Sequence, residues 1–188
     1  MKSAVNISHL FMSDSLCIGD IGIDATAGNG HDTLFMAECV GSEGTVIAID
    51  KQEEAIQSTQ TLMMQYALSN VNCILGDHAE MDKFLQPFMQ RVSCISFNLG
   101  YLPGSADRSI ITNAQSTIKA LNACLPLLNY RGSISVIAYR GHEHGPDEAQ
   151  AVEDWMRSLP AKDWHVTKTE AINQSDLAPI VYVAEKKH

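Results

Sequence analysis

The chain has 188 residues, of which 45% are hydrophobic, 6% aromatic and 19% charged, with a formal net charge of −9. That composition predicts a single globular domain over 1–188 and argues against a disordered or fibrous chain; no apolar run reaches the roughly 18 residues a bilayer demands. The acidic balance argues against a broad, phosphate-driven nucleic-acid binder, while leaving room for a local basic rim around a pocket.

In chain order, residues 3–15 read as an opening amphipathic helix, without the basic start and apolar core of a secretion signal. Ile21–Ala27 reads as a first strand, His31–Val40 as a helix, Thr45–Asp50 as a second strand and Gln52–Leu68 as a second crossover helix. Val71–Leu75, a short helix at Met81–Met89, Val92–Phe97, a long helix at Ile110–Leu128, Ser133–Tyr139 and a helix at Pro146–Ser158 continue the alternation. Two closing strands, Trp164–Glu170 and Ile180–Glu185, have no room for a helix between them, so an antiparallel hairpin at the sheet edge is expected. The order predicts an α/β, Rossmann-like class I fold: a mostly parallel seven-stranded sheet with an antiparallel C-terminal hairpin and helices on both faces.

The five cysteines (Cys17, Cys39, Cys73, Cys94, Cys124) form no C-x-x-C pair. They read as free thiols of a cytoplasmic protein, not as a disulfide frame or zinc site. The His-x-His at His142 and His144 lacks carboxylates at metal-binding spacing, so no metal is expected.

The strongest chemical signal is DATAGNGHDT at 24–33, placed where a strand gives way to a helix. Gly28 and Gly30 permit a tight turn and close backbone approach to a ligand. Thr33 stands where a dinucleotide fingerprint has its third glycine, and the Lys-Ser/Thr of a triphosphate loop is missing. Asp24, just before the turn, would repel a pyrophosphate but can accept a hydrogen bond from a methionine ammonium, which favours S-adenosylmethionine. Asp50 at the second strand end can take ribose hydroxyls, and Asp77 after the third can take an adenine amino group. The cofactor set is thus Asp24, Thr26, Gly28, Asn29, Gly30, Asp32, Thr33, Asp50, Lys51, Asp77, His78 and Asn98.

The acceptor side is expected from two later strand ends. Asn98 in NLGYLPG can accept from an amine and Tyr101 can stack on a base, while Tyr139 and His142 follow the fifth strand. Arg140 and His144 could meet a phosphate, and Asp107 and Arg108 could pair with each other or touch substrate. Methyl transfer to an amine needs a free lone pair and an in-line approach, so positioning and desolvation carry much of the work.

DATAGNGHDT at 24–33, NLGYLPG at 98–104 and Tyr139-x-Gly141-His142 together resemble the YtqB/MnmM-type class I S-adenosylmethionine-dependent methyltransferases, long labelled rRNA methylases. The resemblance spans nearly the whole chain. It implies a dimeric Rossmann-like enzyme that N-methylates the 5-aminomethyl group of the tRNA wobble uridine in the anticodon stem-loop, giving 5-methylaminomethyl-(2-thio)uridine. It also implies cofactor roles for Asp24, Gly28, Asn29, Gly30, Asp50 and Asp77, and acceptor-pocket roles for Asn98, Tyr101, Tyr139 and His142. Ser105-Ala106-Asp107-Arg108 departs from the glycine-rich stretch expected there, and Arg140 and His144 stand where Pro and Gly are expected. Rival readings are an rRNA base methyltransferase, a small-molecule methyltransferase, an NAD-dependent oxidoreductase and a non-catalytic nucleotide-binding module.

Overall fold

The computed structural model describes residues 3–100, 102 and 112–187. The chain runs α1 (Ala4–Ser15), β1 (Ile21–Asp24), α2 (His31–Val40), β2 (Thr45–Asp50), α3 (Glu53–Gln65), β3 (Val71–Leu75), α4 (Met81–Phe84), β4 (Val92–Asn98), α5 (Ala114–Cys124), β5 (Leu128–Ala138), α6 (Gly145–Ser158), β6 (Trp164–Thr169) and β7 (Ile180–Lys186). The seven strands form one sheet in the order β3-β2-β1-β4-β5-β7-β6. The first five are parallel, and β7 slots antiparallel between β5 and β6. The expected hairpin therefore lies at the sheet edge, with its second strand inward.

Helices cover both faces. On one face α1 and α2 bury Met12, Leu16, Met36 and Val40 against Val46 and Cys94. On the other, Leu121 and Cys124 of α5 and Val152 and Trp155 of α6 join Ile23, Ile47, Ile95 and Phe97 in the main core. Burying such side chains stabilises by roughly 1.5–3 kcal/mol each before the entropy of ordering is set against it. β1 pairs with β2 on one flank and β4 on the other, so consecutive strands diverge there. A ligand crevice is expected at the carboxyl ends of strands beside such a switch point. Asp24, Asp50 and Asn98 all sit at those ends.

Several boundaries differ from the sequence expectation, each for a local reason. β1 stops at Asp24, not Ala27, because the Asp24 carboxylate takes the Thr26 N–H and turns the chain. The helix expected over Met81–Met89 is the single turn of α4 flanked by 3₁₀ turns at 78–80 and 86–88, since Pro87 cannot continue an α-helix. α5 ends at Cys124, short of Leu128, because Pro126 has no N–H with which to continue the helical ladder. The Asn113 carboxamide caps its start by accepting the Ser116 N–H; residues 110 and 111 of the expected helix lie outside the described residues. β5 begins at Leu128, not Ser133: Leu128 already pairs with Val92, and a register shift, with Arg131 at positive φ, separates that pair from Cys94–Ser133.

Candidate active site

The loop after β1 is built around a buried acid. Asp24 is fully buried; its Oδ1 accepts the Thr26 N–H at 3.1 Å and its Oδ2 accepts the Thr33 hydroxyl at 2.6 Å. One carboxylate thereby ties the start of the turn to the first turn of α2. Burial, and then the neighbouring Asp32 carboxylate, push Asp24 up to about 7. Gly28 and Gly30 both have positive φ, 53° and 83°. The Gly28 N–H donates to Asp50 Oδ2 at 3.0 Å, while Asp50 Oδ1 accepts the Gln52 N–H at 2.9 Å. Asp50 is thus oriented by backbone at the end of β2, directly against the glycine turn.

Gly30 is required twice, by its φ and by a Cβ that would stand 3.0 Å from the Thr59 Cα. Gly30→Ala is expected to cost about 2 kcal/mol, lowering Tm by about 4–8 °C in thermal denaturation. An unchanged Tm would show that α3 yields freely.

Above the strand ends opens a cavity of about 540 Å³. Of the predicted cofactor residues, Thr26, Gly28, Asn29 and Asp32 line it from the first loop. Asp50, Lys51, Asp77, His78 and Asn98 line it from the ends of β2, β3 and β4. Asp24, Gly30 and Thr33 stand behind that wall, where they shape the loop. Asp77 Oδ1 accepts the Ala79 N–H at 2.8 Å, which fixes it at the turn after β3. His78 Nδ1 lies 3.1 Å from the Ala25 carbonyl, so Nδ1 carries the proton and Nε2 keeps a lone pair. Burial lowers the His78 pKa, and its buried Nε2 has no hydrogen-bond partner among the described residues. Asp32, Asp50 and Asp77 face Lys51 alone among the lysines and arginines of the described lining. Such a wall fits a cationic, phosphate-free nucleoside and repels a pyrophosphate.

The acceptor side adjoins it. The Asn98 N–H donates to Thr26 Oγ1 at 2.7 Å, and its side-chain Nδ2 donates to Asp32 Oδ2 at 3.0 Å. Asp32 Oδ1 is held in turn by His9 Nε2 at 2.6 Å. Tyr139 and His142 line the same cavity. Burial first, and the Asp32 charge second, raise the Tyr139 pKa, keeping the phenol protonated. Both ring nitrogens of His142 are buried without a partner among the described residues. The loop carrying His142 closes tightly because residue 145 is glycine: a Cβ there would collide with the Tyr139 carbonyl oxygen. Tyr101, Asp107 and Arg108 lie outside the described residues.

Arg140 turns elsewhere. Its guanidinium donates to Glu170 at 2.7 Å and to the Ala178 carbonyl at 2.9 Å, anchoring the segment that joins β6 to β7. Sequence reasoning passed over several residues at the site. Val5 of α1, Thr112 and Leu177 line the cavity, and His9 touches it through Asp32. Thr112 bonds Gly100 through its hydroxyl and its N–H, and its hydroxyl donates to the buried Glu148 at 2.8 Å. None of these pairs has a local sequence signature.

Residues 46–185 match the model of the family described as "Putative rRNA methylase". Residues 3–88 also match that of protein-L-isoaspartate(D-aspartate) O-methyltransferase. The chain is 37% identical over 195 residues to the chloroplastic tRNA (mnm(5)s(2)U34)-methyltransferase of Arabidopsis thaliana, covering 99% of this chain and 70% of that one. Among solved structures, a "putative rRNA-methylase" from Clostridium thermocellum superposes with a TM-score of 0.93 at 36% identity, covering 99% of this chain and 98% of that one. A "putative methyltransferase" from Streptococcus mutans in complex with SAH gives a TM-score of 0.87 at 31% identity, covering 99% of both chains.

Proposed function

The chain belongs to the rRNA methylase family matched over 46–185, and from that premise we propose that it N-methylates the 5-aminomethyl group of the tRNA wobble uridine. It is an S-adenosylmethionine-dependent methyltransferase with a Rossmann-like fold. The observation that carries the substrate is the match to the plant tRNA (mnm(5)s(2)U34)-methyltransferase, which runs through both the cofactor and the acceptor strands. The acceptor wall supports the same reading, because Asn98 turns its amide nitrogen to Asp32 and, among the described residues, its carbonyl meets no other donor.

In the cofactor half, Asp50 would take the ribose hydroxyls, and Asp77 and His78 Nε2 would meet the adenine edge. The negative wall would hold the cationic end. Bound there, S-adenosylmethionine supplies a methyl group already activated by its sulfonium. The remaining task for the protein is to present a neutral amine in line and to exclude water. Asn98 accepts one N–H of that amine, the protonated Tyr139 packs beside it and leaves its lone pair free, and the methylated ammonium gives up its extra proton to solvent.

The test is nucleoside mass spectrometry on tRNA bearing 5-aminomethyl-uridine, incubated with the pure protein and S-adenosylmethionine. A gain of one methyl on that nucleoside is expected; methylation of rRNA instead would replace the substrate and keep the enzyme class. Asp50→Ala is expected to weaken S-adenosylhomocysteine binding at least about 30-fold in calorimetry, since it removes the ribose acceptor and frees the Gly28 turn. With a net charge of −9, tRNA affinity must come from a local surface and not from the whole field. Five free thiols are consistent with a cytoplasmic setting, and the homodimer implied by the family resemblance is checked by light scattering.

A further inference from the structure

We propose that His9, on the N-terminal helix, is a positioning residue for methyl transfer: acting through Asp32, it fixes the Asn98 amide with its carbonyl toward the acceptor. The inference rests on the reading that Asn98 meets an amine. A carboxylate offers only acceptors, so both groups on Asp32 must donate to it. Oδ1 takes His9 Nε2 at 2.6 Å and Oδ2 takes Asn98 Nδ2 at 3.0 Å. The two bonds use opposite oxygens of one buried group, so rotation that breaks one strains the other. An amide whose nitrogen is turned to Asp32 points its oxygen away from that carboxylate, where it can accept. Without His9, Asp32 is free to turn and the amide can flip, trading an acceptor for a donor at the point where an amine must arrive.

The ring of His9 is itself held. It stacks on Phe35 with centroids 3.9 Å apart and planes 10° from parallel, which sets the direction of Nε2. α1 does not depend on His9 for its seat. Ser8 bonds Ser135 at 2.8 Å, Ser15 bonds Ser133 at 2.8 Å, and Met12 is completely buried. Asp24 behind Asp32 and Tyr139 beside it both feel its charge, and neither donates to it among the described residues. His9 is therefore the polar contact through which α1 reaches Asp32 and, through it, Asn98. This gives a helix outside the alternating β-α series a part in the reaction.

His9→Ala, His9→Gln, Asn98→Ala and the His9→Ala/Asn98→Ala double variant test this. His9→Ala is expected to lower kcat about tenfold with S-adenosylhomocysteine affinity unchanged, in the range typical of removing a group that orients another. Gln places an N–H donor near the site of Nε2 and should recover most of the loss. In the Asn98→Ala background, His9→Ala should cost less than twofold, because its target is gone. Equal losses in both backgrounds would mean His9 merely supports the fold, and a matching loss of S-adenosylhomocysteine affinity would assign it to the cofactor; either overturns the proposal. A second readout needs no turnover. In ¹⁵N-labelled protein saturated with S-adenosylhomocysteine, the Asn98 side-chain proton bonded to Asp32 should be shifted downfield and protected from exchange, and both features should be lost in His9→Ala. Unchanged signals there overturn the role of His9. A wild-type protein that leaves the tRNA unmethylated while these signals respond would sink the substrate reading alone.

Discussion

Asn98→Ala is expected to lower kcat on aminomethyl-uridine tRNA on the order of 100-fold, while the dissociation constant for S-adenosylhomocysteine changes less than about threefold. The split follows from where the bonds of residue 98 lie. Its tie to the cofactor loop is a backbone N–H to Thr26 Oγ1, which alanine keeps. Its pairing with Ile137 of β5 is also backbone, and the adjacent Leu99 N–H still reaches the Ile137 carbonyl. Only the side-chain bond to Asp32 and the carbonyl offered to the acceptor disappear. A water can replace the volume but cannot hold an amine lone pair in line with a transferable methyl. Single-turnover rates at saturating cofactor, set against calorimetric affinity, separate the two effects. If affinity falls more than tenfold while the saturated rate holds, Asn98 belongs to the cofactor and the amine reading loses its anchor.

The parts of this fold readable in sequence are those whose cause is local. The apolar runs at Thr45–Asp50 and Val71–Leu75 and the helix at His31–Val40 are bounded by their own turn residues, and structure and expectation coincide there. The glycine turn and the acids at three strand ends were legible because a parallel sheet puts every strand's carboxyl end on one side. What could not be read depends on partners distant in sequence. His9 lies in an amphipathic helix, and nothing near it announces a bond to a residue 23 positions on. Arg140 looked like a phosphate ligand because its true partner, Glu170, arrives only when the chain returns along the hairpin. Asp24 shows the same limit from the other side. Its position in the motif was plain, but not that Thr26 and Thr33 would occupy both its oxygens and withdraw it behind the cavity wall.

That burial makes Asp24→Asn a variant with two opposite effects. The folded-state pKa of Asp24 is raised from 3.8 to about 7, by burial first and the Asp32 charge second. Between those values the folded protein holds a proton that the unfolded chain has released. Its contribution is therefore fully present below pH 3.8, is lost as pH rises toward about 7, and stays lost above it. Asparagine keeps both bonds, accepting from the Thr26 N–H and donating to the Thr33 hydroxyl, and never ionises. At pH 8 the variant should be more stable than wild type by about 2 kcal/mol, with Tm higher by about 4–8 °C, and the gap should close by about pH 4. Cofactor affinity should move the other way. A buried negative charge just behind the loop favours a cationic ligand, so S-adenosylmethionine should bind the variant about tenfold more weakly at pH 8. Wild-type affinity should itself decline as pH drops below about 7, while that of the variant stays flat across the same range. A gain in stability with no loss of affinity would make Asp24 a purely structural acid; a loss of both would mean the carboxylate is needed to set the turn. The expected pairing, a more stable fold with a weaker grip, would identify a charge retained at the expense of stability because the ligand is positive.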